Sequence, residues 1–295
     1  MDQKDPKILI IGLGQIGYHN AEYMTRLGLN VEGFDLERSA IRRALNAEVI
    51  RREAKAFTGY DYYLICVSTH DPMNMAQPSF NSLLEIAERL EQEGEEGGLV
   101  SIESTVAKGI SNQVHSILRH RLHVAHVPHR FYSEDKKEHG VRQLRVLGGC
   151  KYCCTLEALN FYAAILNIPV HTVKSVELAE LSKIIENSHR FLEIAFAEEL
   201  KMFCDNEGLD FEELQGAINS KWNIKILEAR NGIGGHCLPK DTQMFFSLAK
   251  NILPFSTVAA AIQSDKLYQT FVSKREDFQV IFPNNYISQK KLATN

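Results

Sequence analysis

The run Lys7 to Ile11 is apolar after its lysine and rich in β-branched residues, the pattern of a strand. A helix-like segment, Tyr18 to Leu27, follows, and then a second strand from Asn30 to Asp35. Further strand-like runs fall at Asp61 to Val67, Gly98 to Ile102, His123 to Val127 and Arg142 to Leu147. Helical periodicity lies between most of them, for example Phe80 to Glu91. Strands alternating with helices predict an α/β fold with a doubly wound, mainly parallel sheet over residues 1–173. From Val176 to Glu207 the pattern turns helical, with apolar stripes through Leu178, Leu181, Ile184, Ile185, Phe191, Leu192 and Ile194 and no Pro or Gly before Gly208. A helix of that length spans roughly 45 Å at about 1.5 Å per residue, which suits a scaffold or a two-subunit interface. Residues 174–275 are therefore expected to form an all-helical second domain around this long helix. A last helix runs from Ser256 to Lys274, and 276–295 form a tail too short to make a domain.

The chain has 295 residues, 44% hydrophobic and 24% charged, enough for two domains with ordinary cores. A formal net charge of −4 advertises neither a nucleic-acid nor an anionic-membrane surface. With no signal peptide or membrane-length apolar run, the expectation is a cytoplasmic protein. The six cysteines are then expected to be mostly free thiols. Cys150, Cys153 and Cys154 form a CxxCC cluster of a kind that holds zinc or a redox disulfide, but there is no second ligand pair at zinc-site spacing, and Gly148 and Gly149 read as a turn before a helix. His120, His123, His126 and His129 recur every third residue, but across a helix-to-strand transition their rings should not converge. No metal site is expected.

Between the first strand and first helix stands Gly12-Leu13-Gly14-Gln15-Ile16-Gly17, the dinucleotide fingerprint of a Rossmann-type domain in its proper context. Gly12 permits the tight turn, Gly14 the approach of a pyrophosphate, and Gly17 close packing of helix on strand. Gln15 and Ile16 open the helix whose N-terminus faces the phosphates. Asp35 ends the second strand, 18 residues past Gly17, where its carboxylate would accept from a ribose 2′-OH. That favours NAD, while nearby Arg38 keeps NADP in play. Ser68-Thr69 and Ser104-Thr105 sit at two further strand ends, where ligands of such sheets lie.

Two features of the second domain carry chemistry. Lys183 and Asn187, spaced i and i+4, share one helix face. The segment Asn231-Gly232-Ile233-Gly234-Gly235-His236-Cys237-Leu238-Pro239-Lys240-Asp241 is a flexible glycine loop running into a helix start. Cys237 thus sits beside a helix N-terminus with Lys240 nearby, and both influences stabilise a thiolate.

The loop around Cys237 resembles the catalytic-cysteine signature of the UDP-glucose/GDP-mannose 6-dehydrogenases. Ala179-Glu180-Leu181-Ser182-Lys183 through Asn187 is similar to the central-helix motif of that family. Ser104-Thr105-Val106 is similar to its Ser-Thr-Val turn, and Thr69 falls on its earlier strand-end threonine. The likeness covers residues 7 to about 273. It implies an NAD-dependent enzyme, dimerised through the long helix, that oxidises a primary alcohol twice by way of a cysteine thiohemiacetal and thioester. Carried over, Cys237 is the nucleophile, Lys183 stabilises oxyanions, Asn187 positions substrate and Asp241 supports the water chemistry. Lys183, Asn187, Gly234, Gly235 and Lys240 would contact a small alcohol or sugar. Two departures stand out. Pro128-His129-Arg130 puts a histidine where the family has a glutamate, so His129 is a candidate base. The third, nucleotide-gripping domain is not expected here, which implies either a substrate smaller than a nucleotide sugar or a partner that completes the site. A β-hydroxyacid dehydrogenase of the 3-hydroxyisobutyrate type, which oxidises once, and a non-catalytic NAD sensor remain as alternatives.

Overall fold

In the computed structural model, residues 5–71, 73–131, 135, 139–253 and 255–274 are described. The elements run β1 (Lys7–Ile11), α1 (Gln15–Arg26), β2 (Asn30–Phe34), α2 (Arg38–Asn46), β3 (Tyr62–Ile65), then a hairpin of β4 (His70–Asp71) and β5 (Asn74–Pro78). There follow α3 (Asn81–Glu93), β6 (Leu99–Ile102), α4 (Ile110–Ile117), β7 (His123–His126), β8 (Arg145–Gly149), α5 (Tyr152–Leu159), a π-helical turn (Asn160–Ile165) and β9 (Val170–Thr172). The helical part comprises α6 (Val176–Glu207), α7 (Phe211–Asn219), α8 (Cys237–Ala249) and α9 (Thr257–Ser273). The chain divides into two compact units, Met1–Glu186 and Asn187–Asn295, the division falling within α6.

The first unit holds a seven-stranded sheet in the order β2-β1-β3-β6-β7-β8-β9. From β2 to β7 all neighbours are parallel, β8 turns antiparallel to β7, and β9 follows β8 in parallel. The expected α/β doubly wound sheet is thus present, with two reversed strands at one edge. Strands β1, β3 and β6 are mostly apolar and buried because both faces of the sheet are covered there. Side chains alternate in direction along a strand. Ile8 and Ile10 accordingly join Leu64, Met24 and Ala44 on one face, while Leu9 and Ile11 join Tyr63, Leu83 and Val114 on the other. The sheet winds outward in both directions from β1, so the crevice that such sheets offer to ligands opens at the carboxyl ends of β1 and β3.

In the second unit three smaller apolar clusters form. Phe191 and Ala195 pack with Ile233 and Ala261, Cys204 with Phe211, and Met202 with Tyr268 and Phe271. Two of its helices begin on side-chain caps: Asp210 accepts from the Glu213 N–H and Ser256 from the Ala259 N–H. No helix among the described residues is long and apolar enough to cross a membrane.

Candidate functional sites

In the glycine turn of the first unit, backbone geometry explains the residue types. Gly12 has φ +95, and a Cβ there would lie 2.6 Å from the Cys66 carbonyl oxygen. A Cβ on Gly17 would lie 1.7 Å from the Gly12 carbonyl oxygen, so α1 can pack on β1 only through glycine. Gly14 faces open space, with no atom within 4 Å of a Cβ built on it, and Gln15 and Ile16 begin α1 behind it. Such a turn, with the N-terminal amides of α1 exposed behind Gly14, is the cradle a dinucleotide pyrophosphate requires. Asp35 braces it: one carboxylate oxygen accepts the Leu13 N–H at 2.6 Å and the other the Glu37 N–H at 2.8 Å. Each oxygen keeps a second lone pair for a ribose hydroxyl. Arg38 is exposed at the first position of α2. Arg43, unforeseen from sequence, donates to the Leu13 carbonyl at 2.7 Å and lies over the Tyr18 ring.

The strand-end residues knit together beside this turn. The Thr69 hydroxyl donates to the Thr105 carbonyl at 2.7 Å, and Ser104 donates to the Val67 carbonyl at 2.7 Å. Ser68 instead meets the His70 ring at 2.9 Å. Glu180 of α6, buried, accepts the Gly109 and Ser111 N–H groups at 2.6 and 2.7 Å and so caps α4.

Beneath the strand ends lies a buried polar network. Glu103 accepts from Asn20 (2.6 Å), Tyr162 (2.6 Å) and Arg145 (2.9 Å). Arg145, 1% exposed, also donates to the Asn20 side-chain carbonyl at 3.1 Å and reaches His129 Nε2 at 2.8 Å. Burial and proximity to Glu103 push the Tyr162 hydroxyl and the Cys66 thiol above their ordinary values. The network also holds His129, the candidate base. His129 Nδ1 accepts the Phe131 N–H at 3.1 Å, its ring is 6% exposed, and burial with the charges of Arg145 and Lys183 holds its pKa well below the usual 6.5. With Nδ1 accepting, the neutral ring carries its proton on Nε2, which faces the Asn20 side-chain carbonyl at 3.1 Å, so burial beside cations leaves the imidazole neutral within this network. The reason is local: the chain leaving β7 turns this side chain inward onto Arg145.

In the second unit, Cys237 is the first residue of α8 and is exposed, after a loop in which Gly232 and Gly235 take φ +88 and +73. Gly234 and Gly235 leave open space where side chains would be. Lys240 and Asp241 are buried, and Lys240 Nζ donates to Asp241 Oδ1 at 2.7 Å. Asn187 Nδ2 donates to the other Asp241 oxygen at 2.5 Å. Asp241, the carboxylate expected to support water chemistry, ties α8 to Asn187 through these bonds. Lys183 stands one helical turn before Asn187 on α6. The loop is pinned from α9 as well, since Asp265 accepts the Ile233 N–H at 2.8 Å.

Close to that pin, Glu198 is buried with no hydrogen-bond partner for either oxygen among the described residues. Burial first, and then the charge of Asp265, raise its pKa to about 8. A carboxyl whose folded pKa exceeds its unfolded value holds its proton in the native state while the unfolded chain ionises. Stability therefore falls as pH rises from about 4.5 to about 8. Glu198→Gln is expected to flatten that slope and to add on the order of 2 kcal/mol at pH 8, with little change at pH 4. Urea unfolding at the two pH values reads it, and equal effects at both would contradict it.

The four histidines spaced by three go to different places. His120 meets His115 at 3.1 Å, His126 is fully buried, His129 joins the network, and His123 approaches Cys153 and Cys154. Gly149 ends β8 ahead of α5.

Fold and sites together define a two-unit α/β protein with a dinucleotide-type glycine turn and a glycine-cysteine loop opening a helix. Residues 177–266 match the family model of the UDP-glucose/GDP-mannose dehydrogenase family, central domain. UDP-N-acetyl-D-mannosamine dehydrogenase from Methanococcus maripaludis is 26% identical over 258 residues, 80% of this chain and 60% of that protein. The chain thus spans about three fifths of that relative's length. In structure it is similar to UDP-D-ManNAc dehydrogenase from Pyrococcus horikoshii, with TM-score 0.80, 24% identity, and coverage of 90% of this chain and 69% of that one. It is also similar in fold to 3-hydroxyisobutyrate dehydrogenase from Mycobacterium tuberculosis, with TM-score 0.70, 13% identity, and coverage of 91% and 94%. These matches show a likeness to the nucleotide-sugar dehydrogenases, most direct through the central-domain segment.

Proposed function

We propose that the protein is an NAD-dependent dehydrogenase acting on a CH–OH carbon of a sugar-type substrate through Cys237. The observation that carries the reading is the exposed thiol at the first position of α8, behind an open glycine loop, in a segment that matches the family's central domain. NAD, when bound, supplies the hydride acceptor. Gly12, Gly14 and Gly17 would cradle its pyrophosphate, Asp35 would accept from its ribose, and Thr69 and Thr105 would hold it from the strand ends. A ribose 2′-phosphate would meet the Asp35 carboxylate, so NAD is preferred over NADP even with Arg38 close by.

The thiol of Cys237, favoured as thiolate by the α8 N-terminus, attacks the aldehyde left by the first oxidation. The second oxidation leaves a thioester, and water cleaves it to carboxylate and free thiol. Over both steps the carbon loses two hydrides, and water supplies the second carboxylate oxygen. Lys183 stabilises the oxyanions. Asp241 takes a positioning role, holding Asn187 and Lys240 on either side, and no proton passes through His129.

The test is to supply NAD, and NADP in parallel, with UDP-N-acetyl-D-mannosamine, UDP-glucose and small hydroxy acids, and to count NADH per substrate. Two NADH per sugar are expected. A single NADH with a β-hydroxyacid would favour the one-step reading, for which the 3-hydroxyisobutyrate dehydrogenase fold speaks. Binding without turnover of any substrate would favour an NAD sensor.

Four exposed apolar side chains of α6 support a homodimer. Leu178, Ile185, Phe196 and Phe203 are spaced by 7, 11 and 7 residues. At about 100° per residue they fall within roughly 20° of one line on the helix surface. Light scattering should show a dimer at micromolar concentration, and Phe196→Glu should shift it to monomer. A wild-type monomer under those conditions would refute it. A cytoplasmic location goes with this reading.

A further inference from the structure

The CxxCC segment acquires its missing ligand from a distant strand. The Sγ atoms of Cys153 and Cys154 and a ring nitrogen of His123 all lie within 4.8 Å of one another. Local architecture brings them there. β8 runs antiparallel to β7, pairing Ala125 with Gly149 and His126 with Gly148, and the Cys150 N–H donates to the Val124 carbonyl at 2.9 Å. A Cβ on Gly149 would lie 2.4 Å from the Thr155 nitrogen, so only glycine lets the first turn of α5 fold back against the sheet. That turn carries Cys153 and Cys154 to the start of β7, where His123 stands. The Cys154 thiol lies against the backbone of Val124 and Lys151 and in hydrogen-bonding contact with Cys153.

The geometry points to a site for a thiophilic divalent cation of the zinc type, held by Cys153, Cys154 and His123 with one position open to solvent. The donor set is two sulfurs and one imidazole, the chemistry zinc selects over magnesium or calcium. Zinc–sulfur bonds of about 2.3 Å in tetrahedral array place two sulfurs about 3.8 Å apart. Separations bounded by 4.8 Å leave at most about an ångström to close, which the exposed Cys153 supplies by side-chain rotation. Binding replaces two thiol protons by one dication, so two protons leave and the site becomes neutral. Its effect is mechanical: the ion staples the first turn of α5 to the first residue of β7, the strand whose far end leads to His129. The inference is independent of the dehydrogenase reading, since none of the three ligands belongs to the glycine turn or the cysteine loop.

The experiment titrates Co(II), then Zn(II), into the reduced full-length chain carrying Cys237→Ser, so that thiolate bands cannot come from the cysteine loop. One equivalent of Co(II) should give a thiolate-to-metal charge-transfer band, and zinc should displace it with release of two protons. Cys153→Ser and His123→Gln, at partly or fully exposed positions, should each weaken zinc binding by more than about tenfold, the lower end of what losing even an outer-shell partner costs. Cys154→Ser should abolish the band, and circular dichroism shows whether that buried variant is folded. No band, or a band of equal strength and affinity in the Cys153→Ser and His123→Gln variants, overturns the site.

Discussion

Cys237→Ser is expected to lower turnover by at least about a thousandfold while leaving NAD affinity unchanged. The hydroxyl that replaces the thiol is a far weaker nucleophile at neutral pH, so the second NADH should vanish. The fingerprint glycines and Asp35 lie in the other unit, which is why binding should survive. In the wild type, Cys237 should alkylate faster at pH 7 than Cys66, Cys150, Cys154 and Cys204. Burial pushes up the thiols of Cys66, Cys150, Cys154 and Cys204, while Cys237 is exposed at a helix N-terminus. Full activity in the serine variant, with uniform alkylation, would remove the cysteine chemistry. The one-step β-hydroxyacid reading would then stand if Lys183→Ala still lost activity.

Arg145→Met is expected to destabilise the first unit by about 3–5 kcal/mol, the cost of leaving one member of a buried ion pair without its partner. Glu103 is 2% exposed, and Arg145 is the cation that meets its carboxylate. Adding Glu103→Gln should recover part of the loss, because the remaining amide carries no charge to bury. Urea unfolding followed by tyrosine fluorescence reads both variants. A single-variant loss below about 1 kcal/mol would show that the network is solvated and not structural.

Much of the fold was legible along the chain. Periodicity located α6 to the residue, Val176–Glu207, because 32 residues without Pro or Gly leave a helix nothing to stop it. The glycine fingerprint was legible because steric demands at Gly12 and Gly17 are local and only glycine meets them. Pro239 likewise marked the helix that Cys237 opens. Short elements escaped: the hairpin of β4 and β5, strand β9 and the reversal at β8 depend on pairing partners rather than on their own residues. An arginine inside a strand and a glutamate after one were the available signals for the buried network. Arg145 and Glu103 lie 42 residues apart, and nothing in either segment names the other. His129 shows the same limit: the resemblance put it at the family's glutamate position as a candidate base, but the side chain's direction, and with it the burial against Arg145, depends on packing.

The sequence by itself therefore determined the elements whose rules are local: strand and helix periods, the glycine turn, the long helix and the cysteine at a helix start. Tertiary structure decided which side chains share an environment. It made Asp241 a clasp for Asn187 and Lys240, made His129 a buried strut, and carried His123 to Cys153 and Cys154. The physical reason is that dihedral preference and amphipathic period act over a few residues, whereas pairing, burial and charge act through space between residues far apart in the chain.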